Sequence, residues 1–533
     1  MNIRPFLAVV KNAHRTPLPL AAASLIALTS LAASADVEPI DASTEALGLY
    51  PAGTFQLAAG KCAGCGTSAQ AFWYFGDDLV GVAPQATPAP PLVWLGASKV
   101  VDGAMLSADR RHLDLGGTGS VPLALVPQLR TNPSFYDASS AEFLARRPLR
   151  LRGEMVAGPA GETRFVARTV WPKDFTVLPG PVQPLAEAQT LQSLVRADGG
   201  GARDAYSTRV LWSRGPTPDW RGKAIVGLML NGAQGDDDES LGGHFGVVTG
   251  QYTDGSMHGW LVNNFYGIDS ISEKGIVAGV TPLDKYLGDL NSGQSWYRPS
   301  YMLVALLRSD EIPRAYQARI NGVFDRLYKH EVEYDHANNN CSGLASDGFR
   351  ALGWNIPARG NDDKLKAIPA YALIAAQKRS LAEGRDIYDY LTAETTRLYP
   401  AVAFDAMGAD LLALARHTTQ RPLDAFEQKL ADQLEAIVFV RVPQFPSSRA
   451  FGSAPVASFT EYRDTAPADR AKWKIVPGLP RPTMPADLRL SEAPPARPSP
   501  VPLPVAAAAL AILAVLALAG RWAWRRLRKP RSA

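Results

Sequence analysis

The sequence predicts an α+β fold in which an antiparallel sheet and a cysteine-bearing helix lie between an N-terminal β-rich domain and a helical C-terminal extension, with a C-terminal transmembrane helix at the end. Residues 36–205 contain short apolar stretches separated by Gly and Pro, which is typical of strands. Residues 206–363 mix buried-strand and helical patterns, and residues 364–440 have apolar positions at helical spacing. Residues 505–524 are almost entirely apolar.

The first 35 residues predict a signal peptide. Basic residues precede an apolar stretch at 18–33, and Ala33, Ser34 and Ala35 have the small-x-small form of a cleavage site. The mature chain would then begin near Asp36. The alternative interpretation is a membrane anchor that is not cleaved.

Residues 505–524 have roughly the length that crosses a bilayer core. The basic residues 525–533 predict a cytoplasmic tail by the positive-inside rule. The bulk of the protein is therefore predicted to be periplasmic or otherwise extracytoplasmic, on a single-pass anchor in the inner membrane, with residues 441–504 as a Pro-rich spacer. The segment also resembles an exosortase-type sorting signal, so a sorting protease that cleaves it is the alternative to a retained anchor.

Charge and composition exclude one class of partner. The 533 residues carry a formal net charge of +4, part of which comes from the two ends, and no basic stripe with interleaved aromatic residues is present. Nucleic acid is therefore not an expected partner. The chain is long enough for two or three domains.

Three cysteines divide into a close pair and a single residue. Cys62 and Cys65 form Cys-Ala-Gly-Cys, which predicts a local disulfide in an oxidising compartment. The motif lacks the following His of a haem attachment site, and no further zinc ligands lie near it. We therefore expect no cofactor and no metal, and Cys341 is left as the odd cysteine.

Candidate strands and helices surround Cys341. Alternating residues at 149–156 and 163–170 predict a hairpin within the β-rich domain, whose role the sequence does not assign. In the central region, the sequence predicts strands at 223–230, 244–252, 258–266 and 301–307, an amphipathic helix at 314–330, and a second helix from Cys341 to Gly353.

Cys341 is a candidate nucleophile. Three consecutive asparagines precede it, which suit a loop and a helix N-cap. Free N–H groups at a helix start favour a thiolate and offer an oxyanion site. The alternative is a buried structural thiol, because free cysteine packs as a small hydrophobe. Tyr334 lies near Cys341 in sequence and is a candidate lining residue.

His244 is the candidate base. It opens a predicted strand between Gly243 and Gly246, where the lack of side chains would let another element approach. His336, close to Cys341 in sequence, is the nearest rival, and His258 is expected at the far end of the hairpin. A histidine with no catalytic role is the default for a single residue.

An asparagine on the next strand is the candidate orienter of the imidazole. If the turn pairs Tyr252 with Met257, Gly246 pairs with Asn263, on the same face as His244. A one-residue bulge would present Asn264 instead. Either amide could accept an N–H from the ring and hold its tautomer without adding charge.

The segments beginning at His244 (His-Phe-Gly-Val-Val-Thr-Gly) and Asn340 (Asn-Cys-Ser-Gly-Leu-Ala-Ser-Asp-Gly-Phe) resemble the circularly permuted papain-like (NlpC-type) cysteine hydrolases. That superfamily includes lecithin:retinol acyltransferase-like proteins and the Lnb N-terminal periplasmic domain. The resemblance covers about 150 of the 533 residues. It implies a permuted papain-like domain with Cys341 as nucleophile, His244 as base and Asn263 or Asn264 as orienter. The acyltransferase group often has His in that third place, and the 97-residue spacing from His244 to Cys341 implies an insertion.

This resemblance implies a membrane-anchored extracytoplasmic cysteine hydrolase or acyltransferase. Its substrates would be amide or acyl bonds in peptidoglycan peptides, envelope proteins or lipids, cleaved through a Cys-His-Asn triad. The alternative is a non-catalytic cell-envelope binding or structural protein that uses the same fold.

Overall fold

A computed structural model describes residues 37–39, 46–58, 78–84, 87–115, 119–128, 136–158, 161–197, 205–216, 219–232, 243–265, 279–296, 298–328, 331–332, 334, 339–360, 364–392, 394–447, 468–469 and 521. The predicted signal peptide, Cys62, Cys65, His336 and most of the Pro-rich spacer lie outside these residues. Apart from Arg521, so do the segment 505–524 and the predicted tail.

Eighteen strands occur in the described residues. They are β1 (Val37–Pro39), β2 (Ala46–Leu47), β3 (Tyr50–Pro51), β4 (Gln56–Ala58), β5 (Leu79–Val82), β6 (Leu92–Gly96), β7 (Lys99–Leu106), β8 (His112–Asp114), β9 (Ser120–Leu125), β10 (Leu149–Ala157), β11 (Thr163–Pro172), β12 (Ser207–Ser213), β13 (Ala224–Asn231), β14 (His244–Gln251), β15 (Leu261–Asn264), β16 (Gly279–Pro282), β17 (Ser300–Leu307) and β18 (Leu434–Val442).

Ten α-helices accompany these strands in the described part of the chain. They are α1 (Ala138–Leu144), α2 (Leu191–Ala197), α3 (Leu283–Gly288), α4 (Glu311–Tyr328), α5 (Cys341–Arg350), α6 (Lys364–Lys378), α7 (Leu381–Thr392), α8 (Thr395–Leu398), α9 (Pro400–Ala415) and α10 (Ala425–Gln433). Two short 3-10 helices cover Ala52–Thr54 and Gln294–Trp296.

Eleven of the described strands form one sheet, in the order β1-β4-β5-β6-β16-β15-β14-β13-β17-β18-β12. Neighbouring strands are antiparallel, except that β16 meets β6 in parallel through Val280 and Val93. The central strands β13 and β17 are buried at every position. A strand covered on both faces must be apolar throughout, which explains the continuous apolar runs in the sequence.

Strand alternation divides the core into two clusters, one on each face of the sheet. In β13, Leu228 and Leu230 pack in the first cluster with helices α4, α5 and α9. Ile225 and Met229 pack in the second cluster, which includes the barrel strands and α3. The sheet is therefore the middle layer between helices and a barrel.

The barrel on the second face is built from β7 to β11. Its strands follow the order β7-β8-β9-β11-β10 and close back onto β7, with β9 and β11 parallel. Helix α1 connects β9 to β10. This is the strand order of the five-stranded Greek-key barrel called the OB-fold. A shared strand order indicates architecture and carries no function by itself.

Buried ion pairs join the barrel to the sheet through α3 and the residue that follows it. Arg150 and Arg152 of β10 donate from Nε to Asp284 Oδ2 at 3.1 and 2.7 Å, and Asp284 is fully buried. Arg168 of β11 donates to Asp289 Oδ2 at 2.8 Å. Charges this deep need partners, so these contacts determine how the barrel sits on the sheet.

The helical layer approaches the sheet closely at Gly408 of α9. A Cβ at this position would lie 2.2 Å from Leu191 Cδ1 and 2.9 Å from Leu303 Cδ2. A larger residue at position 408 would therefore require the ends of the Leu191 and Leu303 side chains to shift. After α9 and α10 the chain returns to the sheet as β18, beside β17.

The predicted fold class is wrong as a whole, although the α+β content, the antiparallel sheet and the Cys341 helix are present. No described helix is both long and apolar enough to cross a membrane, so the structure does not support the predicted C-terminal transmembrane helix. Strands β1, β4, β5 and β6, from the region predicted as a separate β-rich domain, lie in the same sheet as β13. Strand β18, from the region predicted as a helical extension, is also in that sheet. Periodicity identifies a strand but not its distant partner, which is why the sequence suggested separate units.

Candidate active site

Helix α5 begins at Cys341, as the sequence predicts. The side chain of Asn340 caps this helix and accepts from the N–H groups of Ser342 and Gly343 at 3.0 and 3.2 Å. Gly353, at φ +106°, follows the helix and permits the left-handed turn away from it. The asparagine cap thus places the thiol in the first turn of the helix, and the glycine lets the chain turn away after the last turn.

His244 opens β14 within a row of polar residues at the strand ends. It pairs with Asn231 of β13, which in turn pairs with Ser300 of β17, so the three side chains share one face. Asn231 Nδ2 donates to Ser300 Oγ at 2.7 Å, and the Tyr286 hydroxyl donates to Asn231 Oδ1 at 2.5 Å. The row is buried and hydrogen-bonded, as polar groups in a core must be.

Asn264 is the asparagine that contacts the histidine. Strand β15 pairs Asn263 with Val247, one residue away from the predicted pairing with Gly246. This register puts Asn264 on the face of His244, and Asn264 Oδ1 hydrogen-bonds His244 Nε2. Because an amide oxygen only accepts, Nε2 carries the proton and Nδ1 is left for the thiol.

Asn263 lies on the other face, where it has a different partner. Its Oδ1 accepts from Gln317 Nε2 at 2.8 Å, and its Nδ2 donates to Gln317 Oε1 at 3.1 Å. Gln317 belongs to α4, so this pair joins the helical layer to the sheet. The structure therefore places Asn263 in a buried amide pair, away from the imidazole.

The predicted register is wrong because the connection between β14 and β15 is not a tight turn. Gly255 accepts from the Val177 N–H at 2.8 Å, and the Tyr252 hydroxyl donates to the Val177 carbonyl at 2.9 Å. Packing on this distant segment lengthens the connection, so β15 begins at Leu261 rather than at His258. His258 consequently lies in the turn, away from Cys341.

The thiol of Cys341 has three polar neighbours. Burial raises its pKa, but the nearby imidazole of His244 and the hydrogen bond between that ring and the sulfur lower it. Hydrogen bonds from the Phe245 N–H and the Tyr334 hydroxyl lower it further, and together these contacts bring the pKa to about 7. A thiol in this range is substantially ionised near neutral pH and is a stronger nucleophile for it.

The expected oxyanion site at the helix start is partly occupied. Asn340 takes the N–H groups of Ser342 and Gly343, and its carbonyl accepts from the Leu344 N–H at 2.9 Å. The Cys341 N–H donates to the Tyr334 hydroxyl at 3.3 Å. The expectation of several free helix N–H groups is therefore wrong, and the donors beside the thiol are the Cys341 N–H and Tyr334.

Tyr334 remains protonated at neutral pH. Burial, followed by the neighbouring Cys341, raises its pKa well above the ordinary value. Its hydroxyl is therefore available as a hydrogen-bond donor. The sequence suggested Tyr334 only by its position near Cys341, whereas Asn231, Ser300 and Tyr286 could have been suspected only where polar residues end or follow apolar strands.

Other site types receive no support from the described residues. Within those ranges, no group of three or more His, Cys, Asp or Glu side chains is arranged to hold a metal ion. Comparison with protein-family models, curated proteins and solved structures finds no match to this chain. The assignment of the site therefore depends on its geometry.

Proposed function

We propose that the protein is a cysteine hydrolase or acyltransferase that acts on amide or acyl bonds of envelope material. Cys341 is the nucleophile, His244 the base and Asn264 the orienter. The observation that carries this proposal is the hydrogen-bonded series from thiol to imidazole to amide, with the thiol pKa lowered to about 7. A buried thiol without such neighbours would have a raised pKa.

The proposed reaction has two halves. The Cys341 sulfur attacks the carbonyl carbon of the substrate, and His244 transfers the thiol proton to the leaving amine or alcohol, so a thioester forms. Water or a second acceptor then attacks the thioester, with His244 taking its proton. The acyl group leaves, the thiol is restored, and no oxidant or metal is required.

Asn264 suits this chemistry because it is neutral. Its Oδ1 holds the Nε2–H of His244, which leaves Nδ1 facing the thiol in the tautomer that can accept its proton. A neutral amide adds no charge of its own to the thiolate–imidazolium pair. It therefore orients the ring in the way expected of a papain-type third residue.

Tyr334 and the Cys341 N–H are the proposed donors for the tetrahedral intermediate. Both lie beside the sulfur, and they hydrogen-bond each other at 3.3 Å in the substrate-free protein. A developing oxyanion could accept from both groups, because the tyrosine hydroxyl can rotate toward it. Preorganised donors of this kind typically contribute about 3–4 kcal/mol to transition-state stabilisation.

One observation favours the non-catalytic alternative. Cys341 and His244 are each only 3% exposed, which is the burial expected of a structural thiol. A binding or structural protein could keep the same fold and hydrogen bonds without performing the reaction. The extracytoplasmic location, and with it the envelope substrate, is also part of the proposal and depends on the signal-peptide pattern of the first 35 residues.

Peptide-resolved alkylation tests the proposal. Iodoacetamide labelling of Cys341 is measured from pH 5 to pH 10 by mass spectrometry in native and denatured protein, with His244→Ala as a variant. We expect the native rate to titrate near pH 7 and the His244→Ala rate to titrate at higher pH. An acyl-electrophile probe should label the wild type but not Cys341→Ala.

The enzyme assignment fails if native Cys341 reacts no faster than denatured Cys341 and shows no titration below pH 8. The protein would then be a non-catalytic member of the fold. Labelling that is fast in His244→Ala as well would remove His244 from its proposed role.

A further inference from the structure

Helices α6 and α7 form a hairpin that leaves and rejoins the body at one point. Their main packing partners are each other. The Thr395 N–H donates to the Arg359 carbonyl at 2.7 Å, so the two ends of the excursion are held together. This connection makes the hairpin an insertion on an otherwise continuous body.

The base of the hairpin lies beside the Cys341 helix. Arg350 of α5 forms an ion pair with Glu394, just after α7. Asn340, the N-cap of α5, donates from Nδ2 to the Leu398 carbonyl at 2.8 Å. The residues that follow the hairpin therefore contact both ends of α5.

The inner face of the hairpin has its own small core. Tyr371 is buried among Ile368, Ala372 and Tyr388. The helices approach closely at Gly384, where a Cβ would lie 2.8 Å from the Ala375 Cβ. This packing uses one side of α6 and leaves the opposite side uncovered.

The outer face of α6 is apolar and exposed. Leu365 is 88% exposed, Leu373 is 56% exposed, and Leu381 at the start of α7 is 65% exposed. Pro369 and Ala376 are also exposed and continue the same stripe at spacings of three and four residues. Two exposed leucines along one face of α6, with a third at the start of α7, are unusual for a surface that contacts only water.

Exposed cations lie near both ends of this stripe, and Glu383 is exposed at the start of α7. Lys378 and Arg379 are exposed at the turn between the helices, and Lys366 is exposed near the other end. No Asp or Glu occurs from position 364 to 382. Exposed leucines beside exposed cations are a combination that favours binding to the surface of an anionic bilayer.

We propose that the outer face of α6, with Leu381, binds the surface of a membrane that contains anionic lipid. A bilayer accepts an exposed apolar helix face without a matching groove. Two copies packed through this face would bring Lys378 and Arg379 of both copies close together. The inference does not depend on the proposed activity.

Hydrogen–deuterium exchange of the full chain provides a local test, since other parts of the protein could also bind vesicles. Exchange in residues 364–381 is compared without vesicles, with phosphatidylcholine vesicles and with vesicles containing 30% phosphatidylglycerol. We expect anionic vesicles to slow exchange in this segment about fivefold or more, with a smaller effect from neutral vesicles and loss of the effect in high salt.

The variant Leu365→Gln/Leu373→Gln should abolish most of this protection, because burying each leucine contributes roughly tenfold to partitioning. The matched control is Leu178→Gln, which replaces a leucine of similar exposure (53%) outside the hairpin and should retain the protection. Cys341 alkylation should be unchanged in both variants, which separates this test from that of the proposed function.

Four results would overturn the proposal. Protection that is equal with neutral and anionic vesicles would show that binding does not require anionic lipid, and protection retained in the double variant would show that the stripe is not the binding surface. Protection present without vesicles and rising with protein concentration would assign the stripe to a second copy. Protection present without vesicles at every concentration would assign it to another segment of this chain.

Discussion

The imidazole of His244 hydrogen-bonds through Nε2 to Oδ1 of Asn264, its diagonal neighbour on the next strand. The adjacent Asn263 faces the opposite side of the sheet and pairs with Gln317. Two consecutive asparagines therefore have separable roles, one as partner of His244 and the other as partner of Gln317 in α4. Substitution of each asparagine by alanine can therefore test the two roles separately.

Asn264→Ala should mainly lower the reactivity of Cys341, whereas Asn263→Ala should mainly lower the stability of the fold. Asn264→Ala removes the acceptor that holds the His244 tautomer, so we expect probe labelling of Cys341 to fall by at least about tenfold. Asn263→Ala removes two hydrogen bonds of the buried Gln317 amide, which keeps its bonds to Thr249 and Asn321, and should cost about 1–3 kcal/mol of unfolding free energy. Labelling kinetics and urea denaturation measure the two effects. Equal loss of labelling in both variants would contradict the separation.

Tyr334→Phe tests the hydrogen bond from the tyrosine hydroxyl to the thiol. That bond lowers the Cys341 pKa, so its removal should raise the pKa above about 7. A rise of one unit would reduce the thiolate at pH 7 about fivefold, whereas alkylation rates should converge above pH 9.

The matched control for Tyr334→Phe is Tyr316→Phe. Tyr316 is a buried tyrosine of α4 whose hydroxyl has no hydrogen-bond partner in the described structure. Tyr316→Phe should leave the alkylation profile unchanged. An unchanged profile in Tyr334→Phe would exclude Tyr334 from the thiol environment.

Asp284→Asn should weaken the attachment of the barrel. Arg150 and Arg152 would be left buried without their shared carboxylate, so we expect a loss of about 3–5 kcal/mol in unfolding free energy. The control Asp310→Asn removes the half-exposed partner of Arg314 and should cost less than about 1 kcal/mol. Denaturant unfolding near pH 7 measures both.

The same carboxylate predicts a dependence on pH. Burial raises the Asp284 pKa, but Arg152 and Arg150 outweigh it and lower the pKa below its ordinary value. The stability that the Asp284 carboxylate contributes is fully present above its unfolded-state pKa of about 3.9. This contribution is lost as the pH falls through the lower pKa of the folded state. The difference between wild type and Asp284→Asn should therefore be constant from pH 5 to pH 8 and shrink below pH 4. A difference that grows in acid would contradict this assignment.

Local patterns predict the parts of the site that depend on local structure. The asparagine run and Gly353 place the start and end of the Cys341 helix, and the glycines around His244 identify the beginning of its strand. The choice between Asn263 and Asn264 depends on register, and that register is set by the packing of Gly255 and Tyr252 on Val177. Local sequence contains no information about this contact.

The overall topology depends even more on distant pairs. Val93 and Val280 are the only registered pair between β6 and β16, and they join the N-terminal strands to the central sheet. The barrel closes where β10 pairs with β7, and Arg150 and Arg152 then meet Asp284 more than a hundred residues away. Strand patterns predict that these strands exist, but the pairing follows from burial in three dimensions.

The N-cap of the Cys341 helix offers a last prediction with a matched control. Asn340 accepts from the N–H groups of Ser342 and Gly343, and Asp424 accepts from the Glu427 N–H at 2.9 Å at the start of α10. Asn340→Ala and Asp424→Ala should each lower the unfolding free energy by about 1 kcal/mol, because each exposes unsatisfied N–H groups.

Only Asn340→Ala should loosen the first turn that contains Cys341. A local destabilisation of about 1 kcal/mol raises the open population about fivefold. We therefore expect a bulky maleimide at pH 9 to label Cys341 about fivefold faster in Asn340→Ala, while Asp424→Ala labels at the wild-type rate. Equal acceleration in both variants would mean that labelling follows global unfolding, and no acceleration in either would mean that the cap does not hold the thiol in place.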